Sequence, residues 1–363
     1  MRPLEGLNVV AVEQAVAAPY CTARLADAGA RVCKIERPTG DFARGYDSVA
    51  RGQSSYFVWL NRGKESHVLD LAQDEGRAHL AEMIAGADVL VQNLKPGAMG
   101  RMGLDPAALC ARHPRLIACS ISGYGEGGPM AERKAYDLLI QAESGLASIT
   151  GGPESPARVG ISVVDIATGA AAHSAILEAL IARGITGRGC HIAVSMFDVI
   201  ADWLAVPLLQ AEGGQPPARV GLSHPSIAPY GAFAAADGRV FLISIQSDRE
   251  WTIFCREILE EPELAEDPMF QNNVARVQNR AETDALVRAA FARHEGAALE
   301  ARLAAADVAF AAVNDMAGLS AHPHLRRAQV DTPAGPVAIP APPALFDGTA
   351  RALGPVPAIG EVP

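Results

Sequence analysis

The first ~200 residues alternate between short apolar runs and helical text, and this alternation constrains the fold more than any other feature. Residues 7–13 form a β-rich run after Pro3 and Gly6, as expected for a buried parallel strand. A helix is expected over 20–28, stopping at Gly29, with a second strand over 31–36. That closes a β-α-β unit, whose crossover is right-handed by the general connection rule. Further strands are expected at 66–71, 87–93, 116–122 and 189–195, with helices at 74–85, 106–112, 135–147, 164–183 and 197–211. The fold class is α/β, a Rossmann-like doubly wound large domain. Its first turn, Gln14-Ala15-Val16-Ala17-Ala18-Pro19, lacks the G-x-G-x-x-G fingerprint, so NAD is not expected as a cofactor.

Beyond residue 210 the text changes. Residues 210–229 are rich in Gly and Pro and read as a linker. Residues 230–235 and 239–246, joined around Asp237-Gly238, read as a hairpin. Helices follow at 250–260, 282–293 and 297–305, then a strand at 309–313. The expected division is a large domain over 1–212, rejoined by a tail over 321–363, and a small α+β domain over 225–320. From residue 333 the tail is Pro-rich and reads as extended.

A formal net charge of −10 without a dense Lys/Arg run argues against a nucleic-acid partner, though a few placed cations could still hold an anionic ligand. The six cysteines contain no C-x-x-C pair, which excludes the common zinc patterns and suggests reduced thiols. No metal is expected. Residues 1–20 lack the layout of a signal peptide, and the apolar stretch 161–181 is interrupted by Asp165, His173 and Glu178. The expectation is a cytoplasmic protein with no membrane span.

Within that stretch, Gly160-Ile161-Ser162-Val163-Val164-Asp165 places a carboxylate at the start of a long apolar helix. Two readings are open. Asp165 is an N-cap accepting a backbone N–H, or it is a nucleophile or base held ionised by the positive helix end.

Several stretches, in order, resemble one family, the class III CoA-transferases, which includes formyl-CoA transferase, carnitine CoA-transferase and the α-methylacyl-CoA racemases. They include Pro3-Leu4-Glu5-Gly6-Leu7, the run 25–38, Gly40-Asp41-Phe42-Ala43-Arg44, Leu60-Asn61-Arg62-Gly63-Lys64 and Leu69-Asp70-Leu71. The run 87–97, Arg101-Met102-Gly103-Leu104, the run 136–145, the Asp165 stretch and Thr186-Gly187-Arg188-Gly189 complete the match. The resemblance implies coenzyme A as acyl-CoA substrate, a carboxylic acid as acceptor, and two chains interlocked as a homodimer. The chain closes at Pro363 without the family's usual terminal helical segment, so a shorter subunit contact is expected.

By the same resemblance, Asp165 matches the family's catalytic aspartate, which carries first an acyl anhydride and then a CoA thioester. Ala15, Val16 and Ala17 match the turn near the thioester, where formyl-CoA transferases place a glutamine at the position of Val16; Gln14 lies two residues earlier. Arg37, Leu69, Asn93, Leu94, Arg101, Met102, Lys134, Tyr136 and Asp137 match the CoA path. Without the resemblance, Arg37 and Lys134 read as solvated charges, and Asp137 is either a carboxylate supporting the site from behind or a helix-start residue. The racemase branch has a His base where this chain has Tyr136, whose pKa of ~10 suits a base poorly at neutral pH. The segment 221–230 holds no glycine run of the kind found in oxalate-using members, which argues against formyl-CoA:oxalate chemistry. His224 in that segment is either a donor to the second carboxylate of a dicarboxylic acid or a loop histidine. The leading expectation is therefore an acyl-CoA:carboxylate CoA-transferase. The alternatives are an α-methylacyl-CoA racemase and a non-catalytic CoA-binding homologue.

Overall fold

The computed structural model describes residues 2–362, and they divide into two compact units. The first comprises residues up to 147, 158–209 and 326 onward; the second comprises 148–157 and 210–325. The segment 148–157, read from sequence as part of the large domain, thus belongs to the second unit.

In the first unit, strands β1 (Asn8–Val12), β2 (Arg31–Glu36), β3 (Lys64–Val68), β4 (Val89–Gln92), β5 (Ile117–Ser122) and β6 (His191–Ser195) form one sheet. Their order is β3-β2-β1-β4-β5-β6 and every pairing is parallel. Val10 is in register with Cys33 on one side and Leu90 on the other. The helices are α1 (Ala17–Asp27), α2 (Ser55–Asn61), α3 (Asp74–Ala85), α4 (Ala98–Arg101), α5 (Pro106–Arg112), α6 (Asp137–Glu143), α8 (Val163–Thr186) and α9 (Met196–Trp203), while α7 (Leu146–Ile149) and α10 (Ala205–Glu212) run across the boundaries between the units. One sheet face packs Val9, Ala11, Val32, Val89 and Ile117 with Cys21 and Leu25 of α1 and Ala172 and Ile176 of α8. The opposite face packs Val10, Ile35 and Leu90 with Leu80 and Ile84 of α3 and Leu109 of α5.

Helix α8 is long and apolar enough to cross a membrane by length and composition alone. Here its stripe of Val164, Ala167, Ala172, Ile176 and Ala179 is buried. Gly169 permits the approach to α1, because a Cβ there would lie 2.4 Å from the Ala17 carbonyl oxygen. The tail is less extended than its Pro content suggests. It forms an antiparallel pair, β10 (Arg327–Val330) with β11 (Val337–Pro340), and Val330, Ile339 and Val356 pack on Phe57 and Val58 of α2.

The second unit holds an antiparallel sheet of β7 (Tyr230–Ala234), β8 (Val240–Ser244) and β9 (Ala309–Ala312). Its helices include α11 (Asp248–Phe254), α12 (Asn273–Gln278), α13 (Arg280–Phe291) and α14 (Gly296–Ala305). Its core is more aromatic, with Phe233, Phe241, Trp251, Phe254 and Phe291 buried together. His224 stacks on Tyr230 at 5.2 Å and 13°, and its carbonyl accepts from Arg280 Nη2 at 2.8 Å.

Candidate active site

The strand order reverses direction between β1 and β4, and in doubly wound sheets a crevice opens there beyond the carboxyl ends of the strands. Two loops line it, the turn after β1 and the segment after β4. Asn93 joins them: its Oδ1 accepts from the Gln14 N–H at 2.9 Å and its Nδ2 donates to the Gln14 carbonyl at 2.8 Å. Asn93 is thus a clamp between loops as well as a wall of the crevice.

Two adjoining cavities occupy this end of the first unit. One, of ≈ 600 Å³, is lined by Gln14, Ala15, Val16, Ala17, Asn93, Leu94, Lys134, Tyr136, Asp137 and Asp165. The other, of ≈ 500 Å³, is lined by Gln14, Arg37, Leu69, Leu94, Arg101 and Met102. Gln14 and Leu94 belong to both, so the two form one groove with the exposed cations Arg37 and Arg101 toward one end and Asp165 at the other. Every site residue expected from sequence lies along this groove except His224, which is in the second unit.

Asp165 does not act as a helix cap. Ser162 occupies the N-cap position, Asp165 is the third residue of α8, and its carboxylate makes no hydrogen bond among the described residues. The capping is done from outside. Asp137, first residue of α6, accepts from the Val164 N–H at 2.8 Å and the Asp165 N–H at 3.2 Å. Its other oxygen accepts from Gln141 Nε2 at 2.6 Å, and Gln141 Oε1 in turn accepts from the Val159 N–H at 2.9 Å. A carboxylate satisfying two free N–H groups at a helix start is stabilised both by hydrogen bonds and by the helix dipole.

The N–H groups at the start of the helix therefore serve Asp137 and not the Asp165 carboxylate. Burial, and then the like charge of Asp137, push the Asp165 carboxyl up to about 7. Asp137 has already taken the helix N–H groups that would have favoured the charge. At neutral pH the Asp165 carboxylate is therefore close to its midpoint, an unsatisfied acid or nucleophile facing a cavity.

Sequence reading missed an aromatic wall of the same cavity. Phe42, Tyr46 and Tyr56 line it together with Tyr136. Tyr46 contacts Phe42 at 5.7 Å and Tyr56 at 5.4 Å between ring centroids. Burial and neighbouring acids, Asp41 and Asp165 among them, push the Tyr46 phenol up to about 12, so it remains a hydrogen-bond donor. Arg158 adds an exposed cation at the rim. A cluster of Cys33, Glu65 and His67 places three metal-type donors within 4.8 Å, but Arg31 already holds both Glu65 oxygens, at 2.7 and 2.9 Å.

A family model described as CoA-transferase family III matches residues 4–362. The chain belongs to that family. It is a CoA-transferase, with CoA thioesters as substrates. An acetyl-CoA:oxalate CoA-transferase of Acetobacter aceti is 40% identical over 299 residues, covering 81% of this chain and 76% of that protein. A succinate–glutarate CoA-transferase of Agrobacterium fabrum is 36% identical over 295 residues, covering 78% and 73%. The crystal structure of a CaiB/BaiF family protein from Brucella suis is similar at a TM-score of 0.86 and 36% identity, covering 99% of this chain and 97% of that one. The family III assignment agrees with the parallel sheet and with the groove at its switch point.

Proposed function

We propose that this enzyme moves CoA from an acyl-CoA to a small organic acid, with Asp165 as the covalent carrier. The observation that carries the reading is an unpaired, half-buried carboxylate at one end of a groove whose other end presents Arg37 and Arg101. The cationic end suits the CoA phosphates, and the 600 Å³ cavity suits the thioester. In the first step an ionised Asp165 oxygen attacks the thioester carbonyl, the C–S bond breaks, and the thiolate leaves with the bonding pair. The thiolate then attacks the Asp165 carbonyl of the anhydride, which releases the acyl group as a free carboxylate. An acceptor carboxylate reverses both steps, leaving as a new thioester and restoring Asp165. A carboxylate can do this only where water is held back, and the same burial that raises its pKa serves that end. With Tyr136 at the racemase base position, α-proton exchange lacks one of its two bases.

The acceptor is read as a small dicarboxylic acid. Similar proteins carry oxalate, glutarate and mesaconate in their names, so the missing glycine run at 221–230 does not by itself remove oxalate. His224 is proposed to favour the second carboxylate. A panel of acyl-CoA donors against mono- and dicarboxylic acids, read by mass spectrometry, tests both points. New thioesters should form, and His224→Ala should reduce dicarboxylate transfer more than monocarboxylate transfer. No transfer to any acid, or equal loss for both classes, contradicts the respective claim.

A homodimer in the cytoplasm completes the reading. The dimer, not the compartment, is what exposed Trp203, Val206, Leu209, Ile181 and Ile185 support, as apolar surface of the kind that partners cover. Sedimentation should give a dimer that persists on dilution, and a monomer retaining full activity would refute it.

A further inference from the structure

Directly behind the Gln14–Ala17 turn, four ionisable side chains are sealed in the interior. Glu13, Lys34, Asp41 and Lys64 are 4%, 0%, 5% and 2% exposed. Lys64 Nζ donates to Glu13 Oε1 at 2.7 Å, and Lys34 Nζ lies 3.4 Å from that oxygen and 2.9 Å from Asp41 Oδ2. Thr22 Oγ1 donates to the other Glu13 oxygen at 2.6 Å, while Lys64 also donates to the Pro19 carbonyl and Asn61 Oδ1 at 3.1 Å each. Two positive and two negative groups form a linear chain, Lys64–Glu13–Lys34–Asp41, with the polar atoms around it engaged.

The far end of the chain reaches the turn. Asp41 Oδ1 accepts from the Ala43 N–H at 2.9 Å and from the Ala15 N–H at 3.4 Å. Ala15 has φ of 64°, a left-handed conformation that is unfavourable for a residue with a Cβ. Such a conformation persists only where its surroundings over-determine it. Immediately after it, α1 begins with Val16 as N-cap and no side-chain cap, and the Val16 and Ala17 N–H groups donate to no other described residue. Both residues line the cavity that holds Asp165.

A buried ion network is a poor way to gain stability, since well-packed apolar side chains generally serve as well or better. Its place against the turn gives it another use. We propose that Glu13, Lys34, Lys64 and Asp41 are positioning residues, which hold Ala15 left-handed and so fix the free Val16 and Ala17 N–H groups beside Asp165. Those two donors then stand where charge develops on an oxygen during attack on a thioester. Glu13 and Asp41 border the ≈ 500 Å³ cavity, but their side chains are only 0% and 1% exposed and are taken up by the network, so the four act through the turn. The kinetic part rests on the proposed transfer at Asp165, whereas the conformational part does not.

The test uses the full-length enzyme and the double variant Lys34→Met/Asp41→Asn, which removes one charge of each sign and keeps the Glu13–Lys64 pair. Hydrogen exchange of the 14–18 amides should quicken by at least ~10-fold relative to the rest of the sheet, because the turn is no longer held. For transfer, kcat should fall ~10- to 100-fold while KM for acyl-CoA moves less than ~3-fold, the pattern of a lost transition-state contact. Adding Ala15→Gly to the double variant should restore part of the lost kcat, because glycine adopts the left-handed conformation without help. Should the double variant not fold, Asp41→Asn alone, which keeps the shape and removes one charge, is measured in the same three ways with smaller effects expected. Unchanged exchange at 14–18 in a folded variant overturns the proposal whatever the activity. So does a kcat loss that Ala15→Gly fails to lessen. A wild-type enzyme that transfers no CoA contradicts the transferase reading instead, and leaves the exchange result to decide this one.

Discussion

Two carboxylates flank the turn after β1, and their surroundings drive them in opposite directions. Burial pushes Glu13 upward, but Lys64 and Lys34 pull it further the other way, so it lies below the usual carboxylate value. Asp165 is half-buried, pairs with no cation among the described residues, and faces the like charge of Asp137; it rises to about 7. Burial raises both carboxyls, and what separates them is whether cations offset it; the contrast distinguishes a group that holds structure from one left available for chemistry.

The largest expected effect is on activity at the unpaired site. Asp165→Ala and Asp165→Asn should each lower transfer by at least ~1,000-fold, since the other carboxylate lining the cavity, Asp137, is engaged by the Val164 and Asp165 N–H groups and by Gln141. A folded Asn variant that turns over at the wild-type rate would erase the distinction between the two carboxylates.

Stability should respond with opposite signs. Glu13→Gln leaves two buried lysines short of a counter-charge and should destabilise by about 3–5 kcal/mol. Asp165→Asn should instead stabilise at pH 8. A carboxyl whose folded value is raised contributes stability that is present below about 4 and is lost as pH climbs through about 7, so the advantage of the Asn variant grows over that window. The gain is bounded by a few kcal/mol. Thermal unfolding of both variants at pH 5 and pH 8 checks the signs, and a destabilising Asp165→Asn at pH 8 would break the comparison.

The smallest effect is a shift of profile. Because the attacking form is the carboxylate, wild-type kcat should rise with pH through about 7. Asp137→Asn removes the like charge, so the midpoint should move to lower pH. A midpoint that stays put or rises would mean that the Asp137 charge does not act on Asp165.

Much of this was readable in the chain. The six strands of the large sheet were found because their β-branched runs alternate with amphipathic helices, and Asp165 with the turn and the Arg37 and Arg101 positions was reached through the family resemblance. Strand β3 was misplaced, at 66–71 instead of Lys64–Val68. Its text, Lys64-Glu65-Ser66-His67, is polar because an ion network rather than an apolar core receives Lys64. The network itself escaped for the same reason. Lys34 stands inside Val32-Cys33-Lys34-Ile35-Glu36, and a charge in a strand reads as solvated until three-dimensional neighbours supply its partners. Helix 135–147 proved to be two short helices, interrupted at Gly145 with φ of 88°. The aromatic wall could not be read either, since Phe42, Tyr46 and Tyr56 come together with Tyr136 only when the loops fold.

The central claim is that Asp165 is the covalent carrier, and the most direct measurement is mass spectrometry of the enzyme trapped during turnover. Incubation with acyl-CoA, rapid quench and proteolysis should place a CoA adduct, or after borohydride reduction the corresponding alcohol, on the peptide that contains Asp165. Asp165→Asn should give the unmodified peptide. A peptide that stays unmodified in the wild-type enzyme while transfer proceeds, or an adduct on any other residue, would contradict the account.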